Sequence, residues 1–284
     1  VDFGIVHVGD PVANHNLSVA NVAPVVALND TLAGSLVGVS GPFNANGNLA
    51  GLGAGQTDTT SLAIGLNTSA AGVFNDAATV NFLSQNPDMA ALDIEIVALN
   101  LVGTVNNYAK SAFTFDSGAG SFAQNGLSYT LNFGTLFEGS GLFETKLLAS
   151  NDVLGPADLL DGDFQFADSA EFGEIGFADF LDFAAGESQH LLLTFDTSSV
   201  GVGSYSNTIL LKGAGHNASG YRGAVQDITL VVQGTVVERS SNVPEPGNLL
   251  LVLTGLLLTA SLSRRTTRAP VVGQQASAEE STSS

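Results

Sequence analysis

Asp227-Ile228-Thr229-Leu230-Val231-Val232-Gln233-Gly234-Thr235-Val236 reads as a β-strand. Ile228, Leu230 and Val232 alternate with Thr229 and Gln233, a period of two that puts apolar side chains on one face and polar ones on the other. A matching block stands earlier in the chain, Leu92-Asp93-Ile94-Glu95-Ile96 running on to Gly103-Thr104-Val105. There the same rule predicts Leu92, Ile94 and Ile96 on a buried face, with Asp93 and Glu95 wet.

Working outward, two more blocks recur in the same order. Val1-Asp2-Phe3-Gly4-Ile5-Val6-His7-Val8-Gly9 returns as Leu131-Asn132-Phe133-Gly134-Thr135-Leu136-Phe137-Glu138-Gly139. Between start and finish, Asn67-Thr68-Ser69 with Gly72 matches Asp196-Thr197-Ser198 with Gly201, turn-forming residues between apolar runs. Three blocks in one order mean two copies of one unit of roughly 110 residues, and no long helical periodicity precedes residue 247. The predicted fold is all-β: two tandem antiparallel β-sandwiches followed by a single C-terminal transmembrane helix. The expected divisions are 1–109 for the first repeat and 110–238 for the second, the latter carrying an acidic insert at 152–187. After these come a linker with its motif at 239–246, the membrane helix at 247–263, and a basic, then disordered, cytoplasmic tail at 264–284.

Composition narrows the function classes. The chain has 27 acidic and 8 basic residues, a net charge of −19, and half of the basic residues are Arg239, Arg264, Arg265 and Arg268. The rest of the chain therefore lacks the clustered cations that phosphate binding needs, which excludes nucleic acid as a partner. With no cysteine there is neither a disulfide framework nor a thiol site. The chain opens at Val1 without a signal-peptide pattern, so an export signal is expected upstream.

The C-terminal stretch has a distinct design. Val243-Pro244-Glu245-Pro246 precedes an uncharged apolar run from Gly247 to Leu262, and Arg264, Arg265 and Arg268 follow. Sixteen residues at about 1.5 Å each span roughly 24 Å, short for a hydrocarbon core of ~30 Å. The arginines hold the end of the chain in the cytoplasm and place the body outside. Pro244 and Pro246 keep Val243 and Glu245 extended, so the motif is presented as an accessible strand-like segment.

This order of Pro-Glu-Pro, short apolar helix and arginines resembles the PEP-CTERM sorting signal of bacteria. The resemblance implies that an exosortase-type enzyme recognises and cuts the chain at the membrane; the stretch from Ala269 to Ser284 is longer than that family usually carries. The Phe-Gly opening, the Asn/Asp-Thr-Ser turn and the Gly-Thr-Val finish resemble the Hydin-like immunoglobulin-type repeats of choice-of-anchor D surface proteins. That resemblance implies that both sandwiches are immunoglobulin-like (Ig-like), with a scaffold or adhesion role and no catalytic residues to carry over. Together they imply an exported, non-enzymatic protein that passes through the inner membrane to the cell surface or matrix, where exopolysaccharide or other surface proteins are its partners. The alternatives are a calcium- or carbohydrate-binding surface module and a permanently anchored single-pass membrane protein.

Candidate chemistry is sparse. His7, His15, His190 and His216 stand apart, none with a metal-ligand spacing, and read as surface or turn histidines. Gly51-Leu52-Gly53-Ala54-Gly55 lacks the flanking strand and helix of a nucleotide loop, and Gly38-Val39-Ser40-Gly41 has the wrong spacing for a nucleophile elbow. No cofactor is expected. The acidic stretch 152–187 offers weak Ca²⁺ candidates in Asp158, Asp161 and Asp163, although Asp161-Gly162-Asp163 is not an EF-hand loop. Its interleaved Phe164, Phe166, Phe172, Phe177, Phe180 and Phe183 imply that it is partly packed.

Overall fold

A computed structural model describes residues 1–239. The sorting motif Val243, Pro244, Glu245 and Pro246, the apolar run at 247–263 and the tail with Arg264, Arg265 and Arg268 lie outside the described residues. Every regular element among the described residues is a β-strand, and no helix there is long and apolar enough to cross a membrane.

The first half contains β1 (Asp2–His7), β2 (His15–Asn16), β3 (Val19–Ala20), β4 (Thr31–Val37), β5 (Phe43–Asn46), β6 (Leu49–Leu52), β7 (Thr57–Asp58), β8 (Ala63–Leu66), β9 (Gly72–Gln85) and β10 (Leu92–Asn106). They form a five-stranded sheet in the order β1-β10-β9-β4-β6, a three-stranded sheet β2-β8-β5 and a small β3-β7 pair. The second half contains β11 (Ser111–Gly118), β12 (Ser121–Asn125), β13 (Ser128–Phe137), β14 (Leu142–Asn151), β15 (Leu159–Phe166), β16 (Phe172–Ile175), β17 (Phe180–Phe183), β18 (Ser188–Asp196), β19 (Gly203–His216) and β20 (Arg222–Val237). These make a six-stranded sheet β12-β13-β20-β19-β15-β17 and a four-stranded sheet β11-β14-β18-β16. No sheet draws strands from both halves, and only an isolated bridge, Asn107 to Ala157, reaches from the connecting segment into the second half.

Each half has its own apolar interior. Phe3, Phe43, Ile64, Leu66, Leu101 and Val105 form the first core, with a satellite around Leu49, Leu62 and Val80. The second core is larger, built on Leu131, Leu147, Leu193, Phe195, Ile209, Leu230 and Val232. The two halves nonetheless form one compact unit, Val1–Glu238.

The sheets are mixed rather than wholly antiparallel. The strand that opens each repeat core lies beside the strand that closes it and runs the same way: β1 with β10 and β13 with β20. The recurring Asp/Asn-Phe-Gly block explains how. Asp2 Oδ1 accepts the Gly4 N–H at 2.8 Å, Asn132 Oδ1 accepts the Gly134 N–H at 2.8 Å, and the two glycines take left-handed φ of 66° and 78°. Without a Cβ that conformation is free of the usual clash, and the pairing register slips there in both copies. The Asn/Asp-Thr-Ser block is likewise equivalent. Ser69 N–H and Ser198 N–H each bond the side chain of the first residue at 2.9 Å, while Thr68 and Thr197 hydroxyls donate to the carbonyls of Asp10 and Gly141.

Two expectations are corrected. Ile228, Leu230 and Val232 are buried, but Leu92, Ile94 and Ile96 are all exposed. A bulge between Asp93 and Glu95 inserts one residue, so Ile96 falls on the face opposite Val97, from which burial begins to alternate; Leu92, before the bulge, shares the Val97 face and is exposed as the first residue of β10. A one-residue slip sends each later side chain to the other face. The stretch 152–187 is also not an insert, because β15 pairs with β19 in one sheet and β16 with β18 in the other. Phe164, Phe172, Phe177 and Phe180 are core residues of the second sandwich, and β15 on β19 takes the place that β4 takes on β9.

Candidate functional site

A buried group of polar residues lies where the two sandwiches meet. His7 ends β1, Asn106 ends β10 and Tyr108 follows it; Asp158 immediately precedes β15, and Asn217 and Tyr221 belong to the turn between β19 and β20. Asp158 is fully buried and His7 is 4% exposed. His7 Nε2 and Asp158 Oδ2 are 2.7 Å apart, and the other carboxylate oxygen accepts from Asn106 Nδ2 at 3.1 Å and Asn217 Nδ2 at 2.9 Å. The other ring nitrogen, Nδ1, lies 3.3 Å from Asp10 Oδ2. A buried carboxylate is tolerated only when its lone pairs are met in this way. Here the donors come from both sandwiches, so each is polar-satisfied only in the presence of the other.

Aromatic rings close the junction. Tyr108 stacks on the His7 imidazole with centroids 4.0 Å apart and 13° between planes, and Tyr221 meets the same ring edge-on at 4.4 Å. Ser219 Oγ accepts the Ile5 N–H at 2.8 Å, a further tie between β1 and the second sandwich. Beside the junction opens a cleft of about 480 Å³ lined by Tyr108, Lys110, Gln124, Tyr129, Tyr221 and Gln226 among others.

Tyr108 is held well above the ordinary phenol range, at about 12, by burial, by its hydrogen bond to Asp10 and by the negative charges of Asp10 and Asp158. The Tyr108 hydroxyl donates to Asp10 Oδ2 at 3.0 Å. Folding keeps the proton on, so the contribution is intact below the unfolded value near 10 and is lost as pH rises from 10 through about 12. Burial and the charges of Asp158 and Asp10 also raise the Tyr221 phenol, so tyrosinate absorbance is expected to show more than one late-titrating tyrosine, and Tyr108→Phe should remove the step near 12.

A second group lies on the outer strands of the six-stranded sheet. His216 Nε2 is 3.2 Å from Asp161 Oδ1 and 3.0 Å from Asp182 Oδ1, while Arg222 donates to Asp161 Oδ2 at 3.0 Å. Burial pushes the Asp161 carboxyl up, but the Asp182 N–H, Arg222 and His216 outweigh it and hold the group below the usual carboxylate range.

The sequence-derived calcium candidates do not converge. Asp158 is consumed by the junction, Asp163 is exposed and accepts from its neighbour Gln165, and Asp161 joins His216 and Asp182 instead. Of the histidines read as surface or turn residues, His7 is buried and partnered, and His216 is mostly buried. Sequence spacing missed both, because the partner of His7 is 151 positions away and that of His216 is 55. One signal existed: His7 occupies the place of the aromatic Phe137 in the second copy of its block.

No family model matches the chain, and no curated protein matches it. Among solved structures it is similar to CfaE, the adhesive subunit of the CFA/I fimbria of enterotoxigenic Escherichia coli, at 9% identity over 79% of this chain and 84% of that one, with a TM-score of 0.34. It is similar to human CDH23 EC21–23 at 10% identity over 84% and 67% of the respective chains, TM-score 0.33. A protein of unknown function from Porphyromonas gingivalis W83 matches at 10% identity over 72% and 85%, TM-score 0.27. The class that its own strands define is an all-β protein of two β-sandwiches joined through a buried polar contact.

Proposed function

We propose that this chain is an exported, non-enzymatic structural or adhesion protein of the bacterial surface or matrix, delivered by a PEP-CTERM-type signal that an exosortase reads and cuts. The observation that carries the reading is the junction. Two sandwiches tied by a buried carboxylate, rather than by a free linker, form a stiff unit suited to bearing load or presenting a surface at a distance. The histidine–carboxylate pair in that junction has the makings of an acid–base dyad, yet His7 is packed between Tyr108 and Tyr221 and closed to a substrate. Its role is cohesion. The acidic surface favours solubility and repulsion between copies outside the cell, and the immunoglobulin-like repeats fit a spacer.

Sorting is tested by replacing Pro244-Glu245-Pro246 with alanines in a host carrying an exosortase, then following fractionation and the mass of the C-terminus. The wild type is expected to lose its C-terminal segment and reach the surface fraction, and the variant to stay intact in the membrane. An intact C-terminus in both would refute processing.

A further inference from the structure

We propose that Asp161, Asp182 and His216 form a site for one divalent cation of the zinc class, which clasps the outermost strand of the second sandwich. The three residues come from three adjacent strands, β15, β17 and β19, with Leu159 opposite His216 and Leu160 opposite Phe183. Their ligand atoms, one imidazole nitrogen and two carboxylate oxygens, all lie within 4.8 Å of one another. Metal bonds of about 2.0–2.2 Å to nitrogen and oxygen place neighbouring donors roughly 3.0–3.5 Å apart. The separations of 3.0 Å and 3.2 Å from His216 Nε2 already meet that requirement. The remaining oxygen-to-oxygen gap closes by turning the Asp182 carboxylate, whose side chain is 68% exposed.

Local hydrogen bonding leaves a role for the cation. A single Nε2–H lies along the line to one oxygen only, yet two carboxylates face that nitrogen. Arg222 neutralises the far oxygen of Asp161, and the Asp182 N–H fixes the near one at 3.0 Å, so the Asp161 carboxylate is oriented from behind as metal ligands commonly are. The imidazole also selects the metal. Calcium and magnesium take oxygen donors, whereas one imidazole with two carboxylates and an open, water-accessible side suits zinc. Binding would pin the four-residue edge strand β17 to its sheet through side chains as well as through its backbone.

The test is calorimetric titration of the full chain with zinc chloride, and separately with calcium chloride, together with ¹⁵N spectra of the histidine rings. One saturable zinc site per chain is expected, with a shift of the His216 Nε2 resonance and no comparable site for calcium. His216→Ala should abolish the site, and Asp182→Asn, at an exposed position where folding is safe, should weaken it at least tenfold. Absence of saturable binding, binding unchanged in Asp182→Asn, an unmoved His216 resonance, or calcium bound as well as zinc would each overturn the proposal.

Discussion

Asp158→Ala is expected to destabilise the protein by about 3–5 kcal/mol, the usual cost of breaking a buried ion pair by removing one partner. The loss is large because several groups lose their partner at once. His7 Nε2 and the side-chain amides of Asn106 and Asn217 would remain in the junction without their acceptor, and each buried unsatisfied group costs about 1–3 kcal/mol. The effect should also be directional. Neither apolar core contains Asp158, so the sandwiches should stay folded while their cohesion fails. In calorimetry the wild type is expected to unfold in one transition and the variant in two, with new protease cleavage in the segment 107–110. Asp158→Asn keeps one acceptor oxygen for the two amides and should recover part of the loss. If Asp158→Ala matched the wild type in denaturant midpoint and in the number of transitions, the junction would not hold the halves together.

Phe195→Ala is expected to cost about 3–5 kcal/mol, the range for truncating a buried aromatic residue. Phe195 is completely buried, with Phe172 at 4.8 Å, Phe133 at 5.7 Å and Tyr205 at 5.9 Å between ring centroids, and its ring also fills the space that a side chain at Gly234 would need. Both sheets supply these neighbours, β18 and β16 on one side and β13, β19 and β20 on the other. The cavity would therefore lie between the layers, where collapse is hardest. With the junction intact, urea denaturation followed by a probe in each half should show one common, lowered midpoint, whereas adding Phe195→Ala to Asp158→Ala should lower the midpoint of the second sandwich alone. Equal loss in both halves of the double variant would contradict the picture of two separate cores.

How far the sequence could be read depended on whether the signal was local. The Phe-Gly and Thr-Ser blocks were legible because each is a self-contained hydrogen-bonded turn, an Asx contact to a left-handed glycine in one case and one from a serine N–H to the Asn67 or Asp196 side chain in the other. Ile228, Leu230 and Val232 were legible because β20 keeps its register there. The 92–96 alternation failed because a bulge is a defect in pairing with another strand, and Leu92-Asp93-Ile94-Glu95-Ile96 contains no glycine to announce it. The parallel pairs were hidden for a related reason, since strand direction is decided by topology and not by period-two patterning. The junction was the least visible part. Asp158 is one of ten carboxylates crowded between residues 152 and 187, and nothing nearby distinguishes it from the solvated ones until β15 is laid beside the end of β1.

Because the chain has no cysteine, a double variant with Val73→Cys in the first sandwich and Val202→Cys in the second carries spin labels only at two exposed sites. Pulsed dipolar spectroscopy on that protein tests most directly whether the junction fixes the two halves as one body. One narrow distance distribution is predicted, broadening when Asp158→Ala is added; a broad distribution in the Asp158 protein, unchanged by that substitution, would contradict it.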